Sequence, residues 1–185
     1  VPGLIFGALA SVISDRLLAG GADPGWMSLW RGRKADQSSF LFTLFQLGGT
    51  GARARKDGLN TTGFPSGVAG VPVEVTETLT PLLQTRKELR TDSGGAGEFR
   101  GGLGQYSEFS CRTDQAWAVI PQIDRTRFAA SGLNGGKMGA TGELRVNGQL
   151  GAQPKAAVNL QPMTQVQLNT PGGGGYGDPA KRDRQ

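Results

Sequence analysis

The sequence predicts a mainly β fold of the α+β kind: antiparallel or mixed β-sheets, sandwich-like, connected by glycine-rich loops, with one amphipathic helix at the N-terminus. Three observations carry this. Apolar residues alternate with a period of two through several short runs. Those runs are separated by glycine clusters at residues 48–67, 93–104, 132–142 and 172–177, where an α/β chain would have helical patterns. A 3.6-residue periodicity stands at the start, with Leu4, Ile5, Ala8, Leu9, Val12, Ile13 and Leu17 on one helical face and Gly20-Gly21 as its stop. At 185 residues the chain is long enough for one domain with a real core, placed at residues 1–179, with a basic tail at 180–185 expected to fray.

The expected helix opens almost at the first residue, and there is no initiator Met, so the chain reads as the C-terminal piece of a larger one. After the turn signal Asp23-Pro24-Gly25, Trp26 and Trp30 are spaced like one helical turn or a short irregular wrap, and read as aromatic core filler rather than a stacking platform. Residues 31–39 are polar and read as a linker. Phe40, Phe42 and Leu44 alternate with Leu41, Phe45 and Leu47, so both faces of residues 38–47 are apolar; this predicts a central strand covered on both sides.

That strand empties into the first glycine loop, where Gly48, Gly49 and Gly51 permit positive φ and close approach of another backbone, and where Arg53, Arg55, Lys56 and Asp57 gather. Residues 71–75 alternate with a period of two, Pro72 placing them at an edge or a strand start and Glu74 pointing away from the valines. Residues 81–90 and 105–113 are strands flanking a long hairpin connection at 93–104 with several left-handed positions. Residues 116–123 and 126–130 are further strands. Lys137, in a glycine cluster, fails as a phosphate loop because Ser131 stands where the first glycine belongs, Met138 follows the lysine, and no helix comes after. Residues 143–146 with Asn147-Gly148 predict a type I′ hairpin, and Val166, Leu168 and Thr170 a last half-buried strand.

Composition narrows the function. The 31 glycines are clustered without a fixed period, which argues against collagen and against low-complexity disorder. With a hydrophobic fraction of 37%, a small core must offset a large backbone ordering cost, so the chain is expected to lean on partner subunits. Net charge is +5, but the clusters Arg31/Arg33/Lys34, Arg53/Arg55/Lys56 and Lys181/Arg182/Arg184 are short, separated by neutral segments and poor in interleaved aromatics, so nucleic-acid binding is not expected. The single Cys111 allows no disulfide framework within the chain and reads as a buried, inert thiol in a reducing compartment. There is no histidine, which removes His-containing metal sites and Ser-His-Asp triads from this chain. Residues 4–18 are interrupted by Ser11, Ser14, Asp15 and Arg16, so neither a membrane span nor a signal peptide is expected, and the location expected is cytoplasmic.

Four stretches taken together resemble one family: 48–58 (GGTGARARKDG), 92–104 (DSGGAGEFRGGLG), 135–139 (GGKMG) and 170–179 (TPGGGGYGDP), in this order and spacing. They are similar to the C-terminal part of the hydantoinase B family, with its oxoprolinase and acetone carboxylase relatives. The resemblance implies a subunit of an ATP-dependent enzyme that opens cyclic amides, with a hydantoinase A-type, ATP-binding subunit and the N-terminal part of its own subunit as partners. It also implies ATP and a divalent metal for the full complex; with no histidine here, none of the family's histidine ligands can be carried over, and this stretch is expected to bind no metal itself. A ketone carboxylase fragment, or a non-catalytic β module docking a partner chain or an anionic ligand, are the alternatives.

Two carboxylates stand as weak catalytic candidates: Asp57, which reads first as a turn device before Gly58, and Glu74, which reads first as a solvated or capping residue. The substrate or interface loops are expected at Gly48, Gly49, Gly51, Arg53, Asp57 and Gly58, and at Gly94, Gly95, Gly97, Arg100, Gly101 and Gly102. The two loops are expected to lie together as one wall of a cleft or interface, with Arg53 and Arg100 clamping Glu74, Glu98 or an anionic group.

Overall fold

The computed structural model describes residues 2–23, 25–65, 67–151 and 155–183. Two antiparallel sheets face each other, one in the order β2-β1-β5-β8 and the other β3-β4-β9-β6-β7. The first is built from β1 (Trp26–Arg33), β2 (Ser39–Gln46), β5 (Trp117–Gln122) and β8 (Val158–Leu160). The second comprises β3 (Leu82–Leu89), β4 (Gln105–Cys111), β6 (Glu143–Val146), β7 (Gln149–Leu150) and β9 (Val166–Asn169). The predicted sandwich with an N-terminal helix is therefore observed.

The core sits between the sheets. Trp30 of β1 has its ring 5.0 Å from that of Phe109 in the opposite sheet and stacks at 5.8 Å on Trp117 of its neighbour β5. Trp26 and Trp30 are fully buried, so they are core filler, but they are carried by a strand, not a helical turn. In a strand, residues 26, 28 and 30 share a face. The buried indoles keep their N–H groups satisfied: Trp26 donates to Asp124 O (3.0 Å), Trp30 to Ser28 Oγ (2.9 Å) and Trp117 to Gln161 O (2.9 Å). Cys111 is buried in this core, and burial pushes its thiol up to about 12. Asn147 and Gly148 take positive φ of 48° and 78° between β6 and β7, as a type I′ hairpin requires.

Four expectations are corrected. Residues 38–47 do not form a central strand: β2 lies at the edge of its sheet, with Leu41 and Phe45 exposed on its outer face. Residues 71–75 are not a strand; Pro72 caps the helix α2 (Val73–Leu79), in which Thr76, Thr78 and Thr80 return their hydroxyls to the carbonyls four residues back. There the β-branched residues alternate by sequence, but the buried one, Thr76, is selected by packing against β3. Residues 126–130 carry no strand, and Phe128 is exposed. The helix α1 (Pro2–Ile13) ends sooner than its apolar pattern, and none of its residues is buried. The last strand is as expected: in β9, Val166 and Leu168 are fully buried while Gln167 between them is partly exposed.

Beside the sandwich, the first three glycine clusters converge on the extended segment 171–177, which contains the fourth. Its N–H groups reach out in turn: Gly172 and Gly175 donate to Ala140 O and Lys137 O, while Gly173 and Tyr176 donate to Gly102 O and Phe99 O. Its carbonyls do the same, Pro171 O and Gly174 O accepting from Gly49 N and Ala52 N. Every third residue addresses the same neighbour. A β-strand addresses neighbours with a period of two, whereas a chain with three residues per turn and no internal hydrogen bonds is the polyproline II helix. The glycine clusters thus form a bundle of such extended helices around residues 171–177. Glycine repeats without a period of three because the central segment has neighbours on all sides.

Candidate functional site

The two loops predicted as site walls do meet, and they meet as members of this bundle. Gly102 N donates to Thr50 O (2.9 Å), Gly58 N to Arg100 O (2.8 Å) and Thr61 N to Leu103 O (2.9 Å). Side chains reinforce the same three-residue step: Asp57 Oδ1 accepts from Arg100 N at 2.7 Å, and Asn60 Oδ1 from Leu103 N at 2.8 Å. The glycines serve close approach rather than unusual φ. A Cβ on Gly49 would overlap Gly102 O, and one on Gly173 would overlap Thr50 O. Of the second loop only Asp92 has a positive φ, 57°, so the several left-handed positions expected there are absent among the described residues.

Asp57 is the busiest side chain of the group. Its carboxylate accepts from both terminal nitrogens of Arg182 (2.9 and 2.8 Å) as well as from Arg100 N, and Arg182 also donates to Glu98 O at 3.0 Å. The Arg182 hydrogen bond, more than the opposing desolvation, holds the Asp57 carboxyl below its usual range. Arg182, in the tail expected to fray, instead ties both loops to the C-terminal end through a fork matched to a carboxylate. Arg184 and Gln185 lie outside the described residues.

The observed ion pairs differ from the expected clamps. Arg100 pairs with Asp92 (2.8 Å) and Arg53 donates to Asp57 O (3.3 Å), so neither holds Glu74 or Glu98. Glu74 is exposed on α2, while its neighbour Glu77 accepts from Arg112 (3.3 Å) and Gln84 N (3.3 Å). Sequence reading missed Asn60, Ser93, Thr170 and Arg182 as organisers. Ser93 Oγ accepts from Gly104 N (2.8 Å), and Thr170 Oγ1 accepts from Gln105 N (2.6 Å) while donating to Leu47 O (3.1 Å). For Asn60, Ser93 and Thr170 the available signal was position: each is a short polar residue at the border of a glycine cluster, the type that bonds nearby backbone.

Two concavities flank the bundle. One of about 280 Å3 lies between α1 and the bundle, with Phe6 and Ala10 above, Gly20, Thr50 and Gly51 below, and Asp23 and Arg125 as its charged residues. Burial raises the Asp23 carboxyl, partly countered by the nearby Arg125. The rings of Phe6 and Phe64, 6.0 Å apart, close one side. The other is an open, charged rim formed by Arg55, Lys56, Asp57, Glu98, Lys181 and Arg182. Of the predicted loop residues, Gly51 reaches the first and Asp57 the second, whereas Gly94, Gly95, Gly101 and Gly102 are packed against other backbone inside the bundle. The donors for a metal do not fit: among the described residues no three His, Cys, Asp or Glu side chains are grouped to hold an ion. Nor is any described helix long and apolar enough to cross a membrane.

Residues 1–179, the sandwich and the whole glycine bundle together, match the hydantoinase B/oxoprolinase family. The chain belongs to this family. It is 28% identical over 183 residues to a putative D-/L-hydantoinase, its B-type subunit, of Pseudomonas sp. (strain NS671), covering 95% of this chain and 30% of that protein. It is 33% identical over 148 residues to the beta subunit of the caprolactamase of Pseudomonas jessenii, covering 74% of this chain and 25% of that one. A 5-oxoprolinase of Pestalotiopsis fici is 36% identical over 115 residues, which is 57% of this chain and 9% of the relative. Among solved structures, the ATP-dependent caprolactamase from Pseudomonas jessenii superposes with a TM-score of 0.81 at 26% identity, over 95% of this chain and 33% of that chain. An acetone carboxylase in its nucleotide-free state gives 0.72 at 21% identity, over 97% of this chain and 30% of that one, and shares the fold. The chain therefore spans a third or less of the length of these relatives.

Proposed function

We propose that this family member is the C-terminal portion of the B-type subunit of an ATP-dependent cyclic-amide hydrolase, acting in the cytoplasm, and that its glycine bundle supports the active site or the contact with a hydantoinase A-type subunit. The observation that carries this is the superposition on the ATP-dependent caprolactamase across nearly the whole chain, bundle included. A bundle in which neighbouring backbones touch leaves its members little freedom to move independently. Such a body suits a scaffold that holds the cleft beside Asp23 and Arg125, or the rim around Asp57, in fixed geometry for groups supplied by other parts of the assembly. In this reading the A-type subunit handles the nucleotide and the missing part of the B-type subunit holds the divalent metal; the reading is supported, for the metal, by the lack of any three grouped His, Cys, Asp or Glu side chains among the described residues.

The test is ATP-dependent ring opening, followed by ADP release and by loss of hydantoin, 5-oxoproline or caprolactam. Turnover is expected when this segment is part of a complete B-type subunit paired with its A-type partner, and none from the isolated chain. Calorimetry of the isolated chain with zinc or manganese should show no stoichiometric micromolar site. Turnover by the chain alone, or a tight metal site on it, refutes the scaffold assignment; an assembled complex that opens none of the rings refutes the reaction class.

A further inference from the structure

We propose that residues 166–177 act as a closing strap: one insertion completes the second sheet and the glycine bundle together, and withdrawal of the same segment opens both. Second sheet and bundle share one central member. In the sheet order β3-β4-β9-β6-β7, β9 stands in the middle, with Leu168 opposite Ser107 of β4 on one side and opposite Leu144 of β6 on the other. From Asn169 the chain runs straight on into the bundle, and every residue from Leu168 to Gly177 is buried. β9 is also the last strand in chain order. The pairs it bridges therefore stay unjoined until the C-terminal residues have folded, which makes the insertion the closing step.

In the bundle the strap satisfies groups on every side. Its N–H groups at Gly173, Gly174 and Gly175 donate to Gly102 O, Gly20 O and Lys137 O, while its carbonyls at Pro171, Gly173 and Gly174 accept from Gly49 N, Gly95 N and Ala52 N. Segments 17–22, 48–53, 93–104 and 130–140 thus each turn main-chain groups toward it. Removing the strap strips all of them of these partners at once, and a buried main-chain group without a partner is costly. The surrounding segments are also tied to one another, Gly102 N to Thr50 O and Ala140 N to Ser93 O, so the loss is felt by the set and not by one loop. Both ends of the strap are accessible. It is entered from β8, the edge strand of the first sheet, through a turn at residues 161–164 in which Met163 is 87% exposed with a φ of 64°. Beyond its far end, the half-exposed fork of Arg182 on Asp57 is the latch. A buried segment between two accessible ends, central to everything it touches, opens as one cooperative unit. This proposal stands on the topology and does not depend on the hydrolase reading.

Native-state hydrogen exchange of the whole chain, read by mass spectrometry at rising sub-denaturing urea, tests it. Amides of residues 166–177 and of 48–53, 93–104 and 130–140 should converge on one opening with a common protection factor and a common urea dependence, while β1, β2 and β5 stay protected in that opening. Leu168→Ala reads the coupling. Leu168 is fully buried in the sheet, and its register partners Ser107 and Leu144 lie outside the three loop segments. Its truncation should lower protection of the strap by at least about 30-fold and that of the three segments by the same factor. If Leu168→Ala does not fold, the urea series on the wild-type chain decides alone. Loop segments that exchange one by one while 166–177 stays protected overturn the proposal. So does a strap that exchanges faster in Leu168→Ala with the loops unchanged, or a single unfolding in which β1, β2 and β5 exchange together with the rest.

Discussion

Substituting Gly173 by alanine tests the idea that the glycines exist for backbone contact. The new methyl would lie far inside van der Waals contact with Thr50 O and against Gly51 N, both main-chain atoms that cannot swing aside like a side chain. Relief requires the central segment or the 49–52 segment to move, and three hydrogen bonds hold residues 173–174 in place: Ala52 N to Gly174 O (2.9 Å) across that contact, and Gly173 N to Gly102 O (2.9 Å) and Gly95 N to Gly173 O (2.8 Å) on the side of the second loop. Overpacking costs about 1–3 kcal/mol, and a buried backbone group left without its partner about 1–3 kcal/mol more. The expected loss is about 2–6 kcal/mol, a large share of the roughly 5–15 kcal/mol by which domains are stable. In a chain of this size, at about 2–4 °C per kcal/mol, that lowers Tm by roughly 4–24 °C. Gly7→Ala is the control, since a Cβ there meets nothing within 4 Å and lies in α1, where alanine is favoured by up to about 1 kcal/mol. Both are read from urea and thermal melts followed by circular dichroism. A Gly173→Ala protein within about 0.5 kcal/mol of wild type, the usual scatter of surface substitutions, refutes the close-contact reasoning.

Asp57→Asn removes the charge that Arg182 forks, and because the pair is half-exposed the expected cost is about 0.5–1 kcal/mol. A carboxyl held below its usual range stabilises fully above the unfolded value near 4 and loses that contribution as pH falls through the folded value, so the variant should flatten the acid side of the stability profile. In an assembled enzyme, lost turnover with an unchanged melting temperature would make Asp57 a substrate contact instead. Cys111 should resist a thiol reagent at about pH 8, below even the ordinary thiol range, in the native chain and react once urea unfolds it; fast native labelling would contradict its burial and its high thiol pKa.

How far the residues can be read depends on the range of the forces at each position. Alternation in residues 105–111 and 166–169 places one face of each strand in the core, and the apolar run 117–121 marks a strand buried on both faces; these are local properties, so the strands are legible. The Asn147-Gly148 turn is legible for the same reason: two residues alone set its φ angles. The mutual approach of the loops at Gly49 and Gly101–Gly102 can be argued from the number of glycines, but not its form. Whether a glycine is there for positive φ or for contact depends on what lies opposite, and opposite Gly49 stands the carbonyl of Gly102, in a different loop of the chain.

The misreadings share that cause. In residues 71–79 a β-branched, period-two pattern suits either a strand or a short helix, and Pro72 as cap with the threonine hydroxyls returned to the backbone decides for the helix. β8 has three residues, too few to show a period, and is a strand because β5 offers it an edge. The composition of β2 is apolar on both faces, as its pattern says, but only the strand order reveals that one face and one edge have no neighbour among the described residues. Asp57 is recognisable as a loop organiser, yet its main partner, Arg182, lies 125 positions away. Residue types alone settle which side chains prefer burial, which turns can form, and that the glycines are too many for simple connections. Which backbones touch and which polar groups meet is settled only in the folded chain, because those contacts join segments distant in sequence and no local pattern records the partner.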